Sequence, residues 1–231
     1  MLISKSIEII ETALLINKKI LVINDLHLGY EEAMRNTGIL VPRFQLQEII
    51  RILQQILARC QPEKIIINGD LKHQFGKVLP QEEKEVSQFL DFLLKYSSEV
   101  IIIKGNHDPL IQPLARKNGV KVVTGYKIGD ILVTHGDELV KTKAQWIIIG
   151  HEHPAIKIRE KSKWEKYKCF LKGRWKGKEL IVVPSFNPLI EGTDVLEGQA
   201  LSPFLKKIDN FEAYIVSAGE VFKFGKIKKI K

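Results

Sequence analysis

Five short runs of isoleucine and valine constrain the fold of this chain more than any other feature. Each run is almost continuously aliphatic, which is typical of strands that are covered on both faces of a sheet. A strand with one face in water would instead alternate apolar and polar residues. The runs cover residues 20–23, 65–67, 100–103, 131–133 and 147–149.

Two amphipathic patterns separate the runs in the first half of the chain. Residues 43–59 and 81–96 each place large apolar side chains on one stripe at helical spacing, as helices packed on a sheet do. Alternation of buried strands and amphipathic helices predicts an α/β fold. After residue 153, glycines and prolines interrupt the pattern and no long helix is indicated, which predicts a second, more antiparallel sheet.

The size and composition favour one folded unit. A chain of 231 residues lies near the upper limit for a single hydrophobic core, and no linker-like segment divides it. With 45% hydrophobic and 27% charged residues, the composition is that of a globular protein with a sizeable core. We therefore expect residues 1–231 to form a single domain.

Several functional classes are excluded by what the sequence lacks. The first twenty residues contain five charged side chains, so they resemble neither a signal peptide nor a spanning helix, and no later apolar run approaches spanning length. Cys60 and Cys169 are too few for a disulfide framework and are expected to be small buried hydrophobic residues. These features predict a cytoplasmic protein without a membrane partner.

Residues of the types that bind metals follow every one of the five runs. Because ligands gather at the carboxyl ends of strands in open α/β sheets, these five ends are expected to meet at one site. All six histidines of the chain lie at or just beyond these ends, and a structural role alone does not explain that distribution. The residues are Asp25 and His27, Gly69 and Asp70, Gly105 to Asp108, His135, and Gly150 to His153.

The spacing within two of these segments suggests how they reach a site. Asp25 and His27 are two residues apart, as are His151 and His153. In extended chain, residues two apart point to the same side. We therefore expect each pair to bind at one site and Glu152 to point away.

The same segments resemble the signature blocks of the calcineurin-like metallophosphoesterase superfamily in order and spacing. The detail is most similar to small archaeal phosphoesterases related to the SbcD repair-nuclease subunit and to bacterial ligase-associated phosphoesterases. Asn187 and Pro188 resemble the Asn-Pro turn that often follows. The blocks read Asp25-Leu26-His27, Gly69-Asp70, Gly105-Asn106-His107-Asp108, His135 and Gly150-His151-Glu152-His153.

The resemblance implies a fold, a metal site and a mechanism. The implied fold is a four-layer αββα sandwich of two packed mixed β-sheets, without the separate capping domain of full repair-nuclease subunits. The implied mechanism is attack on phosphorus by a metal-bridging hydroxide, with His107 at the leaving group and Asp108 orienting its ring. Two divalent ions are expected, with Mn²⁺ first and Fe, Zn or Ni as alternatives. By resemblance, one ion is held by Asp25, His27, Asp70 and His153, and the other by Asp70, Asn106, His135 and His151.

Four further residues have roles that the sequence leaves open. His73 stands where many superfamily members have a carboxylate, and either a supporting role, a substrate-facing role or a plain loop histidine fits. Tyr30, Arg43 and Asn187 are pocket candidates only because they lie near the motifs in sequence, and ordinary structural roles are favoured for them.

The substrate is predicted less sharply than the metal site. The net charge of +9 is concentrated in residues 154–180, which sum to +7, and in five lysines after residue 220. Residues 157–178 interleave their cations with Trp164, Tyr167, Phe170 and Trp175. That mixture is typical of nucleic-acid binding, and equally of a solvated hairpin with buried aromatic residues.

These observations predict a metal-dependent phosphoesterase that hydrolyses phosphodiesters, with nucleic acid or nucleotides as candidate substrates. A phosphomonoesterase is the alternative within enzymes, because this fold supports both activities with nearly the same site. A non-catalytic protein-binding scaffold of the same fold is the alternative outside enzymes. The oligomeric state is not predicted.

Overall fold

The computed structural model describes residues 1–39, 41–160, 162–197 and 200–230, with the side chain of Glu160 outside that description. The helices are α1 (Tyr30–Asn36), α2 (Gln45–Arg59), α3 (Pro80–Leu94) and α4 (Ile111–Lys117), with a 3-10 turn at Ile227–Lys229. The strands are β1 (Ile7–Ile10), β2 (Ala13–Ile16), β3 (Ile20–Ile23), β4 (Lys64–Asn68), β5 (Glu99–Ile103), β6 (Lys121–Val123), β7 (Tyr126–Ile128), β8 (Ile131–Val133), β9 (Trp146–Ile149), β10 (Pro154–Glu160), β11 (Lys163–Trp175), β12 (Lys178–Val182), β13 (Thr193–Asp194), β14 (Glu212–Ser217) and β15 (Glu220–Lys226).

The strands form two mixed sheets. The first has the order β1-β2-β3-β4-β5-β6, antiparallel from β1 to β3 and parallel from β3 to β6. The second has the order β13-β10-β11-β12-β9-β8-β7, and β14 joins it beside β11 and carries β15. In the second sheet, β9 is parallel to both β8 and β12. The two sheets pack face to face.

The buried strands explain the continuous aliphatic runs. In β4, Ile66 faces the second sheet, whereas Ile65 and Ile67 face the core beneath α2 and α3. In β9, Ile148 faces the first sheet, whereas Ile147 and Ile149 face the outer core of the second sheet. All five predicted runs coincide with strands, and the predicted α/β fold of two packed mixed sheets is confirmed.

The two outer layers differ. Helices α2 and α3 cover the first sheet, close to the predicted ranges 43–59 and 81–96. The outer face of the second sheet is instead covered by loop residues such as Phe204 and Phe211 and by the 3-10 turn. Within the described ranges, no α-helix follows residue 117. The fourth layer is therefore mostly irregular.

The parallel arrangement brings the chemically important segments to one edge of the molecule. Strands β3, β4 and β5 run in one direction, and so do β8 and β9, so their carboxyl ends meet. Helix α2 is tied to this edge, because the Gln45 amide donates to the carbonyls of Leu26 (3.1 Å) and His27 (2.8 Å). The buried Glu31 carboxylate accepts from the first amides of α2 at Phe44 and Gln45.

The structure bears on the predictions about membrane-spanning helices and about the two cysteines. No helix in the described part of the chain is long and apolar enough to cross a bilayer. Both cysteines are free, with Cys169 fully buried in the outer core of the second sheet and Cys60 half-buried beside α2. The predicted burial is confirmed for Cys169, whereas Cys60 is only partly buried, and the single-domain organisation stays a prediction.

Candidate metal centre

The predicted ligand residues converge in the space above the strand ends. Asp25 and His27 lie just after β3, Asp70 after β4, Asn106 after β5, His135 after β8, and His151 and His153 after β9. Three groups of side chains each bring their ligand atoms within 4.8 Å of one another. They are Asp25, His27 and His153; Asp70, His135 and His151; and His27, His73 and His107.

The loops that carry these side chains have unusual backbone conformations. Five predicted ligands lie in the left-handed region, which non-glycine residues rarely adopt. Their φ angles are 51° at Asp25, 45° at His27, 48° at Asp70, 65° at His151 and 48° at His153.

The left-handed backbone corrects the prediction made from extended chain. Asp25 and His27 do reach one group, but His151 and His153 belong to different groups. The reason is that positive φ at both histidines breaks the two-residue alternation of a strand. Glu152 does point away, and its carboxylate accepts from Leu201 and Ser202 at 2.9 Å each.

The first group is arranged around the Nε2 atoms of two imidazoles. His27 Nε2 lies 3.3 Å from His153 Nε2 and 3.7 Å from Asp70 Oδ2. His153 Nε2 lies 3.6 Å from Asp25 Oδ2. The same Asp25 oxygen accepts the His151 amide at 3.0 Å, which fixes the carboxylate between the two strand ends.

The second group is centred on His135 Nε2. This nitrogen lies 3.0 Å from Asn106 Oδ1, 3.2 Å from His151 Nδ1 and 3.4 Å from Asp70 Oδ2. On the other side of the ring, Nδ1 lies 3.3 Å from the Asn68 carbonyl, which orients the imidazole. Asp70 Oδ2 is therefore close to imidazoles of both groups.

The donor set fits two divalent cations. Imidazole nitrogens that face each other at 3.2 and 3.3 Å need a proton or a cation between their lone pairs. Asp25 Oδ1 is buried without a hydrogen-bond partner among the described residues and lies 3.5 Å from His135 Nδ1, so its charge needs either a proton on that imidazole or a metal cation nearby. Mixed oxygen and imidazole ligands without thiolate suit first-row transition metals.

The electrostatics of the cluster favour cation binding. Burial lowers the pKa of His27 well below its usual range, so this imidazole is neutral and can donate a lone pair. Burial also acts to lower the pKa of His135, but the hydrogen bond and charge of Asp70 and the charge of Asp25 outweigh it and raise that pKa to about 9. Metal binding at this group would therefore displace a proton from His135.

Three glycines allow the loops to approach one another closely. A Cβ at Gly105 would lie 2.2 Å from Asp70 Oδ1, and a Cβ at Gly69 would lie 2.1 Å from His135 Nδ1. A Cβ at Gly150 would lie 2.7 Å from Asp25 Oδ2. Any side chain at these positions would displace a predicted ligand.

The His107 ring has a different hydrogen-bond partner from the one predicted. Its Nδ1 donates to the His73 carbonyl at 2.7 Å, because a carbonyl can only accept. Asp108 instead accepts the amides of Leu71, Lys72 and Gly105, at 3.2, 3.3 and 3.2 Å. The prediction that Asp108 orients the His107 ring is therefore wrong, since Asp108 holds the two ligand loops together.

A family model for the calcineurin-like phosphoesterases matches residues 18–218 of this sequence. The chain belongs to this family. The match covers all five motif segments and all the strands except β1, β2 and β15.

A solved structure with a TM-score above 0.5 shares this fold. Nuclease MPE from Pseudomonas putida is 18% identical, with 92% of this calcineurin-like chain and 91% of that chain covered and a TM-score of 0.64. YfcE, a phosphoesterase from E. coli, is 15% identical over 92% and 94% of the two chains, with a TM-score of 0.44. Vps29 from Entamoeba histolytica is 15% identical over 89% and 99%, with a TM-score of 0.38. A search of curated proteins finds no match.

The structure gives the contacts of the four residues whose roles in this calcineurin-like site the sequence left open. His73 stacks on His107 with ring centroids 5.8 Å apart, and Tyr30 meets the His73 ring edge-on at 5.0 Å. Arg43 pairs with Glu32 at 2.7 Å, away from the ligand groups. Asn187 is fully buried, and its side-chain oxygen accepts the Leu189 amide, as in a structural turn.

Sequence reasoning missed a supporting network behind Asp25. Ser185 Oγ donates to the Asp25 carbonyl at 2.7 Å, and Lys168 Nζ donates to the carbonyls of Ser185, at 2.8 Å, and Asn187. Burial lowers the pKa of Lys168 to about 7, although the charge of Asp25 opposes the shift. Only the nearby Asn-Pro turn could have drawn attention to Ser185, and no sequence signal separates Lys168 from its neighbouring lysines.

Proposed function

We propose that this protein hydrolyses phosphodiester bonds in nucleic acid with two divalent metal ions. The observation that carries the proposal is that two clusters of carboxylate and imidazole side chains meet at Asp70. Its Oδ2 lies 3.7 Å from His27 Nε2 in the first cluster and 3.4 Å from His135 Nε2 in the second. A structural role would not require seven such side chains on strained loops around a shared carboxylate.

The proposed ligand sets follow the two groups. Asp70 would be the ligand shared by both ions, and its Oδ1 accepts the His107 amide at 2.9 Å. Mn²⁺ is proposed as the most active metal, with Fe, Zn or Ni as alternatives, because the site offers neither thiolates nor an all-oxygen shell. One ion would be held by Asp25, His27, Asp70 and His153, and the other by Asp70, Asn106, His135 and His151.

The chemistry divides between the ions and the chain. When bound, two ions can acidify a water molecule and neutralise charge that develops on the phosphoryl oxygens. Among the side chains, His107 has Nδ1–H engaged with the His73 carbonyl, so Nε2 is the ring nitrogen left to face the leaving group, and it gives a proton there when the imidazole carries one on each nitrogen. Asp108 keeps the 70–72 and 105–108 loops at a fixed separation.

The hairpin of β10 and β11 supports nucleic acid as the substrate class. Lys157 pairs with Lys166, and Arg159 pairs with Trp164, and paired residues of antiparallel strands share a face. The Trp164 ring lies under Lys157 Nζ, 5.3 Å from its centroid, and is 58% exposed. This face therefore offers cations for phosphates and an open aromatic surface for a base.

The position of Trp164 bears on the two interpretations of residues 157–178. A merely solvated hairpin would pack its aromatic residues on the face opposite the cations, as it does Tyr167. Trp164 instead stands among the cations, which favours the binding interpretation. Lys161 lies outside the described residues, and Lys163 belongs to the opposite face.

A substrate screen tests the proposal. Mn²⁺-loaded protein should hydrolyse bis(p-nitrophenyl) phosphate and single- or double-stranded DNA or RNA faster than p-nitrophenyl phosphate. The fold shared with nuclease MPE supports the expectation that diesters and nucleic acids are hydrolysed faster than the monoester. Faster hydrolysis of the monoester would favour the phosphomonoesterase, and no hydrolysis of any substrate would favour the protein-binding scaffold.

A further inference from the structure

A polar cavity lies next to the hydrogen-bond network behind Asp25, and none of the residues that line it is a proposed metal ligand. Its volume is about 580 Å³, within the size range of small-ligand sites. The walls come from α2, the turns between β1 and β2 and between β14 and β15, and the segment 186–188. With Lys168 of β11, five parts of the fold that are distant in sequence thus line it.

The cavity has an excess of positive charge. Arg51, Arg59 and Lys168 line it, against the single carboxylate of Glu11. Arg51 is partly engaged, because its Nε donates to Glu48 at 2.8 Å and a second nitrogen does so at 2.6 Å. The Arg59 guanidinium makes no ion pair or hydrogen bond with any described residue. An arginine without a partner in a cationic cavity is suited to bind a phosphate.

The cavity is connected through Lys168 to the segment behind Asp25 and to the basic hairpin. Lys168 lines it and pairs with Ala155 on the face that carries Lys157. The Lys168 ammonium also binds the Ser185 carbonyl, and the Ser185 hydroxyl binds the Asp25 carbonyl. A strand that follows the hairpin face toward Asp25 would therefore pass this cavity.

We infer that the cavity binds a phosphodiester of the substrate strand other than the one being cleaved, with Arg59 as its main contact. The inference rests on the proposed function and narrows the substrate to a strand with several phosphates. Phe186 and Pro188 give the cavity an apolar wall against which a sugar or base can pack.

Binding to chelator-treated protein tests the inference without catalysis. The probe is fluorescein-labelled decathymidylate, measured by anisotropy over a series of salt concentrations. Arg59→Gln should weaken binding about tenfold, because it removes one charge-assisted hydrogen bond. The slope of log affinity against log salt should fall by about 0.7, as expected for one phosphate on a single strand. The control is Arg116→Gln, an exposed arginine of α4 that loses the same charge far from the cavity.

A neutral linkage in the probe identifies the contact itself. Replacing one phosphate at a time by methylphosphonate should reveal a position that weakens binding to the unmodified protein but does not weaken binding to Arg59→Gln further. The inference is overturned if Arg59→Gln binds like Arg116→Gln, or if every neutral linkage weakens both proteins equally. Absence of hydrolysis in the substrate screen would refute the proposed function and leave this binding result standing.

Discussion

The side chains of the metal centre depend on backbone conformations that few residues adopt. Asp25, His27 and Asp70 have φ near 50°, and Gly105 lies against Asp70 so closely that a Cβ would overlap its carboxylate. Local strain of this kind persists only where the surrounding structure fixes it. Here Asp108 and Ser185 supply fixed contacts behind the loops.

His107→Ala tests the division of roles among single residues. The variant should bind two metal ions per chain, as the unmodified protein does, because His107 is outside both proposed ligand sets. Its kcat should fall by about 10²- to 10⁴-fold, the usual contribution of a positioned proton donor, and most for alkyl esters whose leaving groups need protonation. Elemental analysis and kcat on nitrophenyl and alkyl diesters measure both quantities. Loss of metal from the variant would instead make His107 part of the metal site.

Lys168→Met tests the buried ammonium behind Asp25. The pKa of Lys168 is lowered from 10.5 to about 7, so between these pH values the folded state loses its proton before the unfolded state does. The unfolded chain then binds more protons, and the stability of the unmodified protein should rise with pH relative to the variant. Thermal unfolding of chelator-treated proteins from pH 7 to pH 10 measures the difference. A difference that is independent of pH would contradict the lowered pKa.

Two elements position the site from opposite sides. Helix α2 contacts the His27 loop through Gln45, and the first amides of that helix are capped by Glu31 from α1. On the other side, the β10 and β11 hairpin starts directly after His153 and carries its cations away from the metal centre. The first element is expected to affect stability, and the second is expected to affect substrate binding.

Glu31→Ala tests the cap of α2. Glu31 is 3% exposed and accepts the amides of Phe44 and Gln45, so the variant leaves the buried Gln45 donor and the partly buried Phe44 donor without this partner. The free energy of unfolding should fall by about 1 to 3 kcal/mol in urea titrations of chelator-treated protein. The control is Glu32→Ala, which removes only the half-exposed pair with Arg43 and should cost less than about 1 kcal/mol. Equal losses of unfolding free energy in the two variants would show that the Glu31 hydrogen bonds to α2 do not stabilise the fold more than a surface ion pair does.

Lys157→Gln tests the face of the hairpin. The variant should reduce the salt slope of single-strand binding by about 0.7, since one phosphate contact is lost. Lys163→Gln removes the same charge from the opposite face of the same hairpin and should leave the slope unchanged. Trp164→Ala should weaken binding by about 1 to 3 kcal/mol through the loss of base stacking. Equal slopes for the two lysine variants would refute a directional binding face.

Across the whole molecule, the sequence predicted the features that depend on burial and missed those that depend on loop geometry. The run at 65–67 is recognisable because both faces of β4 are covered, and α2 because its fifteen residues repeat an apolar stripe. Helices α1 and α4 have seven residues each, too few turns for a periodic signal. The left-handed loops and the His73 carbonyl contact were not predictable, since both depend on contacts between distant strand ends.

The candidate site was predictable in composition but not in detail. All seven predicted ligands meet at one edge, because parallel strands place their carboxyl ends together. Their division between two groups depends on the direction of each side chain, which changes with a single positive φ at His151. The register that places Trp164 beside Arg159 depends likewise on the hairpin turn.

The most direct test of the central claim is the number of metal ions per chain measured together with diester hydrolysis. Chelator-treated protein should be inactive on bis(p-nitrophenyl) phosphate, and Mn²⁺ should restore activity as occupancy approaches two ions per chain. Asp70→Asn should bind less metal at both positions and remain inactive, because it weakens the shared ligand. Undiminished hydrolysis by protein with verified loss of metal would contradict the account.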